Sequence, residues 1–421
     1  MTTADGRALT MSTDIFHVTE HTAPACHIRE YPGSTVRSQE EALALHVKQY
    51  TPLEQADPIP VSTITIIAAH AYGFPKELYK PLWDVVHYQL KQNGFYFRSI
   101  WMADMSSMGQ SGVIKEKISN DYATSAHGES AKVLVGIFCT SPLVIHHTKL
   151  RRPNHPADLP RTNLALMCPR LPTTVVLLDP VIQPTVTQGL GTDPPRAVNY
   201  ALRRPDIWPN RKTAASAHAK LWRRWDCRCV ELMIKFGFGD LPTALYPEMP
   251  KGTDPSNPAM TLTTSKYREF LGFSKLNSSV EPAPDGKLQI GRSIHADLDP
   301  VVGLLLVCHP ESRGTFLRLP NLRPPALWNL GAKSFLGLND ARKSIKNLWE
   351  RGWWQWWLFP RQGQGGYPPR RQPYLSNRGR RSNGKLVWRL DFSEDGEVLK
   401  VRARMEQETR INESAESSSA W

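Results

Sequence analysis

The residues that could do chemistry gather at three places. Asp179 closes the apolar run Val175–Leu178, and Pro180 stops that run. His70-Ala71-Tyr72-Gly73 follows a second apolar run, Ile64–Ala69. His155 stands in Pro153-Asn154-His155-Pro156, 24 residues before Asp179. A carboxylate at the end of a buried strand suits the acid that orients a histidine base in a hydrolytic triad. The plainer reading stands beside it: a strand-end Asp is often a loop or cap residue, and a turn such as His70–Gly73 is often only a link. The nucleophile of that chemistry is missing. No G-x-S-x-G occurs in the chain, and Gly109-Gln110-Ser111-Gly112 lacks the final glycine.

These residues need a sheet to position them. Val175–Leu178 reads as a buried parallel strand, and open α/β sheets bind ligands at the carboxyl edge of such strands. Ile64–Ala69 is a second strand. Leu78, Leu82, Trp83, Val86 and Leu90 then recur at helical spacing over Lys76–Leu90. Phe95–Met102 is a third strand, closed by Asp104, so strand, helix and strand form a parallel βαβ unit. Residues 163–183 repeat a helix-to-strand step. From Gln188 to Asp299 the pattern loosens, with Pro-rich links around a helical stretch at Thr213–Phe236. That reads as a mainly helical cap inserted into the sheet domain, with an ordinary second domain as the alternative. Leu304–Val307 and Ala326–Leu330 return to the sheet. The fold class is therefore α/β, a mostly parallel sheet with a helical cap. Residues 1–187 are the first part of the core, 188–299 the cap, and 300–346 the second part of the core. Residues 347–421 are a basic Trp/Arg-rich tail without periodicity, expected to be disordered.

The net charge of +13 over 421 residues raises nucleic-acid binding. Its distribution argues against it. Lys343–Arg389 holds eleven Lys and Arg and one acid, Glu350, hence ten of the thirteen net positive charges. A basic tail makes the chain basic, without a fold that forms a groove. Six scattered cysteines show no disulfide framework, and Cys227-x-Cys229 lacks a second pair for zinc. His146, His147 and His155 carry no H-E-x-x-H motif, so no metal and no cofactor are expected. No apolar run is long enough to span a bilayer.

A longer series of segments carries a resemblance: FHVTEH, HIREYPGSTV, LHVKQYTP, FPKELYKPLWD, IWMADMSSMGQSG, TNLALMCPRLPTTVVLLDPVIQ, GTDPPRAVNYALRR, LTTSKYREF, HADLDPVVG and LRPPALW. Together they resemble the fungal secondary-metabolite α/β-hydrolases, a group that includes peroxisomal acyl-CoA hydrolases of mycophenolic acid biosynthesis and hydrolases of host-selective toxin pathways. The resemblance implies an α/β-hydrolase fold and a small-molecule acyl ester or thioester as substrate. It implies that Asp179 is the triad acid and that the turn His70, Ala71, Tyr72, Gly73 is half of the oxyanion hole, with Ala71 where the family has Gly. His155 occupies the family's nucleophile slot, where a G-H-S-x-G-G type run is expected. Pro156 after it has no N–H to serve as the second oxyanion donor. The family's base lies near the C-terminus, yet every histidine here lies at or before His309.

The departures share a pattern. Thr162-Asn163-Leu164 resumes the family text in register after the damaged stretch. Gly352–Trp357 reads GWWQWW. Trp has one codon, TGG, and TGG-TGG-CAR-TGG read one base later begins Gly-Gly-Ser/Asn, where the family carries Gly-Gly-Ser-Gly-Gly. The resemblance therefore implies that about 121–161 and everything after about 347 are out of frame. A pseudoenzyme that binds without turnover is the alternative to a family hydrolase. The family implies the peroxisome, whereas Ser419-Ala420-Trp421 departs from an S-K-L address and reads as cytoplasmic.

Overall fold

The computed structural model describes residues 14–25, 41, 43–55, 57–60, 63–116, 158–178, 180–182, 196–223, 225–273, 275–276, 280–282, 288–290, 307–308, 310–330, 354–358, 385–392 and 398–406. Strands β1 (Phe16–Pro24) and β2 (Ala44–Pro52) pair antiparallel from Phe16 opposite Pro52 to Pro24 opposite Ala44. β3 (Ile64–Ala69) is buried at all six positions, as a strand covered on both faces must be. A 3₁₀ turn over Lys76–Tyr79 leads into α1 (Lys80–Gln92). Pro81 sits in its first turn, where a missing N–H is harmless, and Gly94 follows its end at φ +75°. The five apolar residues at helical spacing are all buried. β4 (Phe97–Ala103) then pairs parallel with β3 and antiparallel with β2, giving the order β1-β2-β4-β3. The expected βαβ unit is present.

Helix α2 (Gly109–Lys115) follows β4, and α3 (Asp158–Met167) precedes β5 (Val175–Leu178). The cap region holds α4 (Arg196–Arg203), β6 (Ile207–Trp208), α5 (Arg211–Trp222), α6 (Cys227–Phe236), β7 (Phe238–Asp240), β8 (Met260–Leu262) and α7 (Lys266–Phe273). The expected helical stretch consists of two helices, α5 and α6. Asp226 caps the second by accepting from Arg228 N at 2.9 Å, and Asn210 caps the first by accepting from Thr213 N at 2.9 Å. The cap also contains a small antiparallel sheet, β6-β8-β7. Strands of two or three residues are too short to show alternation in sequence.

β9 (Lys275–Leu276), β10 (Val280–Pro282) and β11 (Leu288–Ile290) come next, with β10 and β11 antiparallel. β12 (Val307–Cys308) pairs with β9, so this part of the expected Leu304–Val307 strand joins a separate pairing, and 304–306 lie outside the described residues. Helix α8 (Pro310–Arg318) leads to β13 (Ala326–Leu330), which lies parallel between β5 and β14 (Trp354–Leu358). β15 (Lys385–Phe392) and β16 (Val398–Glu406) pair antiparallel. Strands thus form within the stretch expected to lack structure. Pairing is decided by a partner edge, which local composition does not encode.

Helix α3 ties the two sheets together. Leu164 packs with Leu45, Val47, Ile67 and Ala103, while its neighbour Ala165 packs with Val175, Leu177 and Ile182. The largest cluster runs from β3 and α1 (Ile66, Trp83) into the cap (Trp208, Trp222, Leu232, Phe238). Core and cap therefore share one apolar interior. Among the described residues no helix is long and apolar enough to cross a membrane.

Candidate active site

Strand β5 ends at Leu178, opposite Asn329 of β13, at the position expected to present Asp179. Beyond that position, Ser312 Oγ donates to Val181 O at 2.6 Å and anchors the chain to α8. Asp179 and His155 themselves lie outside the described residues, as do 117–157.

The turn after β3 is described in full. His70 is completely buried. Its Nε2 accepts the Met105 N–H at 2.8 Å, so Nδ1 carries the proton and donates to Ala71 O at 2.9 Å. Burial holds its pKa below the usual histidine range, with Asp104 opposing. With both ring nitrogens engaged, His70 ties the turn after β3 to the turn after β4 and offers no base to a nucleophile. The Ala71 N–H donates to Tyr79 Oη at 3.1 Å, so it is committed inside the fold. The left-handed conformation of this turn falls on Gly73, at φ +74°. Gly73 is also the residue of the four that keeps some exposure.

Beside the turn lies a charged network that sequence reasoning missed. Lys76 is fully buried and donates to Asp104 Oδ2 at 2.5 Å and toward His46 Nδ1 at 2.7 Å. Gln110 N–H also donates to Asp104 Oδ2, at 3.0 Å. Lys48 bridges Glu20 at 2.8 Å and Glu77 at 2.9 Å, and His46 Nε2 lies 3.1 Å from Glu20 Oε2. Burial raises the Glu77 carboxyl, but Lys76 and Lys48 outweigh it and hold it low. Burial and Lys76 lower His46. The signal was available: His46 and Lys48 alternate with apolar residues along β2, so they share one face. Ser106, Ser107 and Ser111 at this edge are buried, and Ser111 Oγ accepts the His46 N–H at 2.8 Å. The network braces the carboxyl edge of the sheet.

The cap closes over both turns through residues 264–273. Thr264 Oγ1 accepts the Gly109 N–H at 2.9 Å, and Arg268 donates to Gly112 O at 3.1 Å. The Glu269 carboxylate lies against Gly73, where a Cβ would meet its Cδ at 2.7 Å. Arg204 of the α4–β6 link pairs with Glu269. Burial raises the Glu269 pKa, with Arg204 opposing. A cavity of about 230 Å³ lies elsewhere, lined by Thr63, His87, Phe95, Tyr96 and Phe97 among others. It opens at the amino ends of β3 and β4, a strand's length from the turn. The arrangement at the carboxyl edge is thus a cap-covered floor held by buried hydrogen bonds.

Among the described residues no group of His, Cys, Asp and Glu could hold a metal ion. No protein-family model matches the chain. The chain is 43% identical over 349 residues to the type I acyl-CoA thioesterase mpaH′ of Penicillium brevicompactum, covering 80% of this chain and 78% of that protein. It is 42% identical over 352 residues to mpaH of Penicillium roqueforti, with the same coverage of 80% and 78%. Among solved structures it is similar to the peroxisomal α/β-hydrolase Lpx1 of Saccharomyces cerevisiae, at a TM-score of 0.55 and 12% identity over 82% of this chain and 83% of that one. At that identity the likeness speaks to the fold alone.

Proposed function

This chain belongs to the fungal secondary-metabolite α/β-hydrolases, with the Penicillium type I acyl-CoA thioesterases as relatives, and from that premise we propose that its ligand is a small-molecule acyl thioester or ester. The family's chemistry is hydrolysis of that bond. Asp179 is the acid that would orient the base, and the His70–Gly73 turn contributes to the oxyanion pocket. The observation that supports this reading is the turn itself: it stands at the carboxyl edge of β3, braced by His70 and covered by Glu269. With the Ala71 N–H committed to Tyr79, any donor toward a substrate comes from farther along the turn. The family reading also carries a peroxisomal location.

A second reading, binding without turnover, is favoured by the sequence around His155 and by the lack of any histidine after His309. Without a serine elbow and its base, acyl transfer loses both nucleophile and proton acceptor. Purified protein should be assayed on acyl-CoA and p-nitrophenyl esters, with ligand binding followed in parallel. The expected outcome is binding with no measurable turnover. Turnover abolished by Asp179→Asn would establish hydrolysis by this chain, and the absence of both binding and turnover would remove the substrate reading.

A further inference from the structure

Phe236 ends α6 where the cap meets the core, and three ammonium groups converge on its ring. Lys48 Nζ lies 4.8 Å from the ring centroid, Lys80 Nζ 5.3 Å and Lys235 Nζ 5.3 Å. They come from three elements: β2, the first residue of α1 and the penultimate residue of α6. One cation over an aromatic face is an ordinary stabilising contact. Three around one ring gather like charge that the ring alone does not answer. Lys48 is buried and answered by Glu20 and Glu77. Lys80 and Lys235 have no carboxylate within ion-pair distance among the described residues, and both retain access to solvent. Burial lowers the Lys80 pKa, and Lys48 and Lys235 push it down further against Glu77 and Glu20. The cluster sits on the seam that leads to the candidate site. Phe74, next to the turn, meets Trp225 edge-on at 5.5 Å, and Cys229 of α6 donates to Leu78 O at 3.5 Å.

We propose that Lys80 and Lys235, backed by Lys48 behind Phe236, form a phosphate site for the nucleotide end of an acyl-CoA-type substrate. This assignment rests on the acyl-thioester reading above. Ammonium groups bind phosphate as compact point charges, and their unbranched stems keep the ring covered while the heads face water. The cluster adjoins the charged network beside the β3 turn through Lys48, which also bridges Glu77.

The test uses the full chain and calorimetric titration with three probes: coenzyme A, adenosine 3′,5′-bisphosphate and an acyl-pantetheine thioester that lacks the nucleotide. Inorganic phosphate serves as competitor, to separate a nucleotide site from a general anion site. Lys80→Met and Lys235→Met keep the stems over Phe236 and remove the charges. Each is expected to weaken coenzyme A and the bisphosphate about tenfold, and the pair more, with acyl-pantetheine unchanged. Lys235→Glu alone, at an exposed position, provides a variant that leaves the packed seam intact and is expected to lose still more affinity. Equal bisphosphate affinity in native and variant proteins, or none in either, overturns the site. So does inorganic phosphate that competes at the same concentration as the bisphosphate. Lysine-dependent bisphosphate binding without acyl-pantetheine binding keeps the site and removes the acyl reading.

Discussion

Gly73 joins conformation to packing at a single residue. Its φ of +74° is a region where a Cβ is strained, and the Glu269 carboxylate fills the space a Cβ would take. Gly73→Ala is expected to destabilise the fold by about 1–3 kcal/mol in denaturant unfolding. If stability is unchanged, the cap helix does not bear on this turn as described. The buried charges give a sharper case. Removing Lys76 would leave the Asp104 carboxylate, which has no exposure, without its close cation. Lys76→Met is expected to cost about 3–5 kcal/mol, and Lys76→Met with Asp104→Leu to recover most of it. A double variant no better than the single would show that the pair is not energetically coupled. Of these residues only the turn was legible beforehand, because its type follows from a local pattern. The pairing of Lys76 with Asp104 joins positions 28 residues apart, which no local pattern records.

Elements were read well where one periodicity ran long enough. β3, α1, β4, β5 and β13 stand where apolar runs or helical spacing placed them. The helical stretch over Thr213–Phe236 holds a break between α5 and α6 that the sequence reading did not place, and Asp226 marks it. Asp226→Ala removes the cap on α6 and its pairing with Arg228, at 2.8 Å between Arg228 Nη2 and Asp226 Oδ2. It is expected to cost about 1–2 kcal/mol, measured by equilibrium unfolding. A loss well under 0.5 kcal/mol would show that the tertiary contacts of α6, and not its cap, hold this end. In β5, Leu177 has no exposure and packs with Ala165, Ala326 and Trp328. Leu177→Ala is expected to cost about 2–5 kcal/mol. A smaller loss would mean that this strand is not part of the main core.

At the scale of the molecule, core and cap meet where α1 faces α6, and Asp84 of α1 is buried there. Burial lifts its pKa from 3.8 to about 7, opposed by Arg228 and Lys80 and aided by Asp14 and Asp226. The folded state therefore keeps a proton that the unfolded chain releases. Stability is greatest below the unfolded pKa and falls as pH rises from about 4 to about 7, by a ceiling of roughly 4 kcal/mol. Asp84→Asn is expected to flatten unfolding free energy over that window and to raise stability at pH 8. An unchanged slope would assign the dependence to other groups. The transcript offers a separate check: a cDNA that encodes residues 121–161 and 347–421 as they stand would end the out-of-frame reading.

The sequence by itself determined the α/β class, the family, the strand β5 and the turn that precedes α1. These follow from runs of apolar residues and an ordered series of segments, which are properties of neighbours along the chain. Only the tertiary structure decided that His70 is a brace and not a base, since that depends on Met105 meeting its ring. Only the fold brought Glu269 onto Gly73, and Lys48, Lys80 and Lys235 onto Phe236. Those partners lie on different elements, and their energies depend on burial and on charges that converge only when the chain closes on itself.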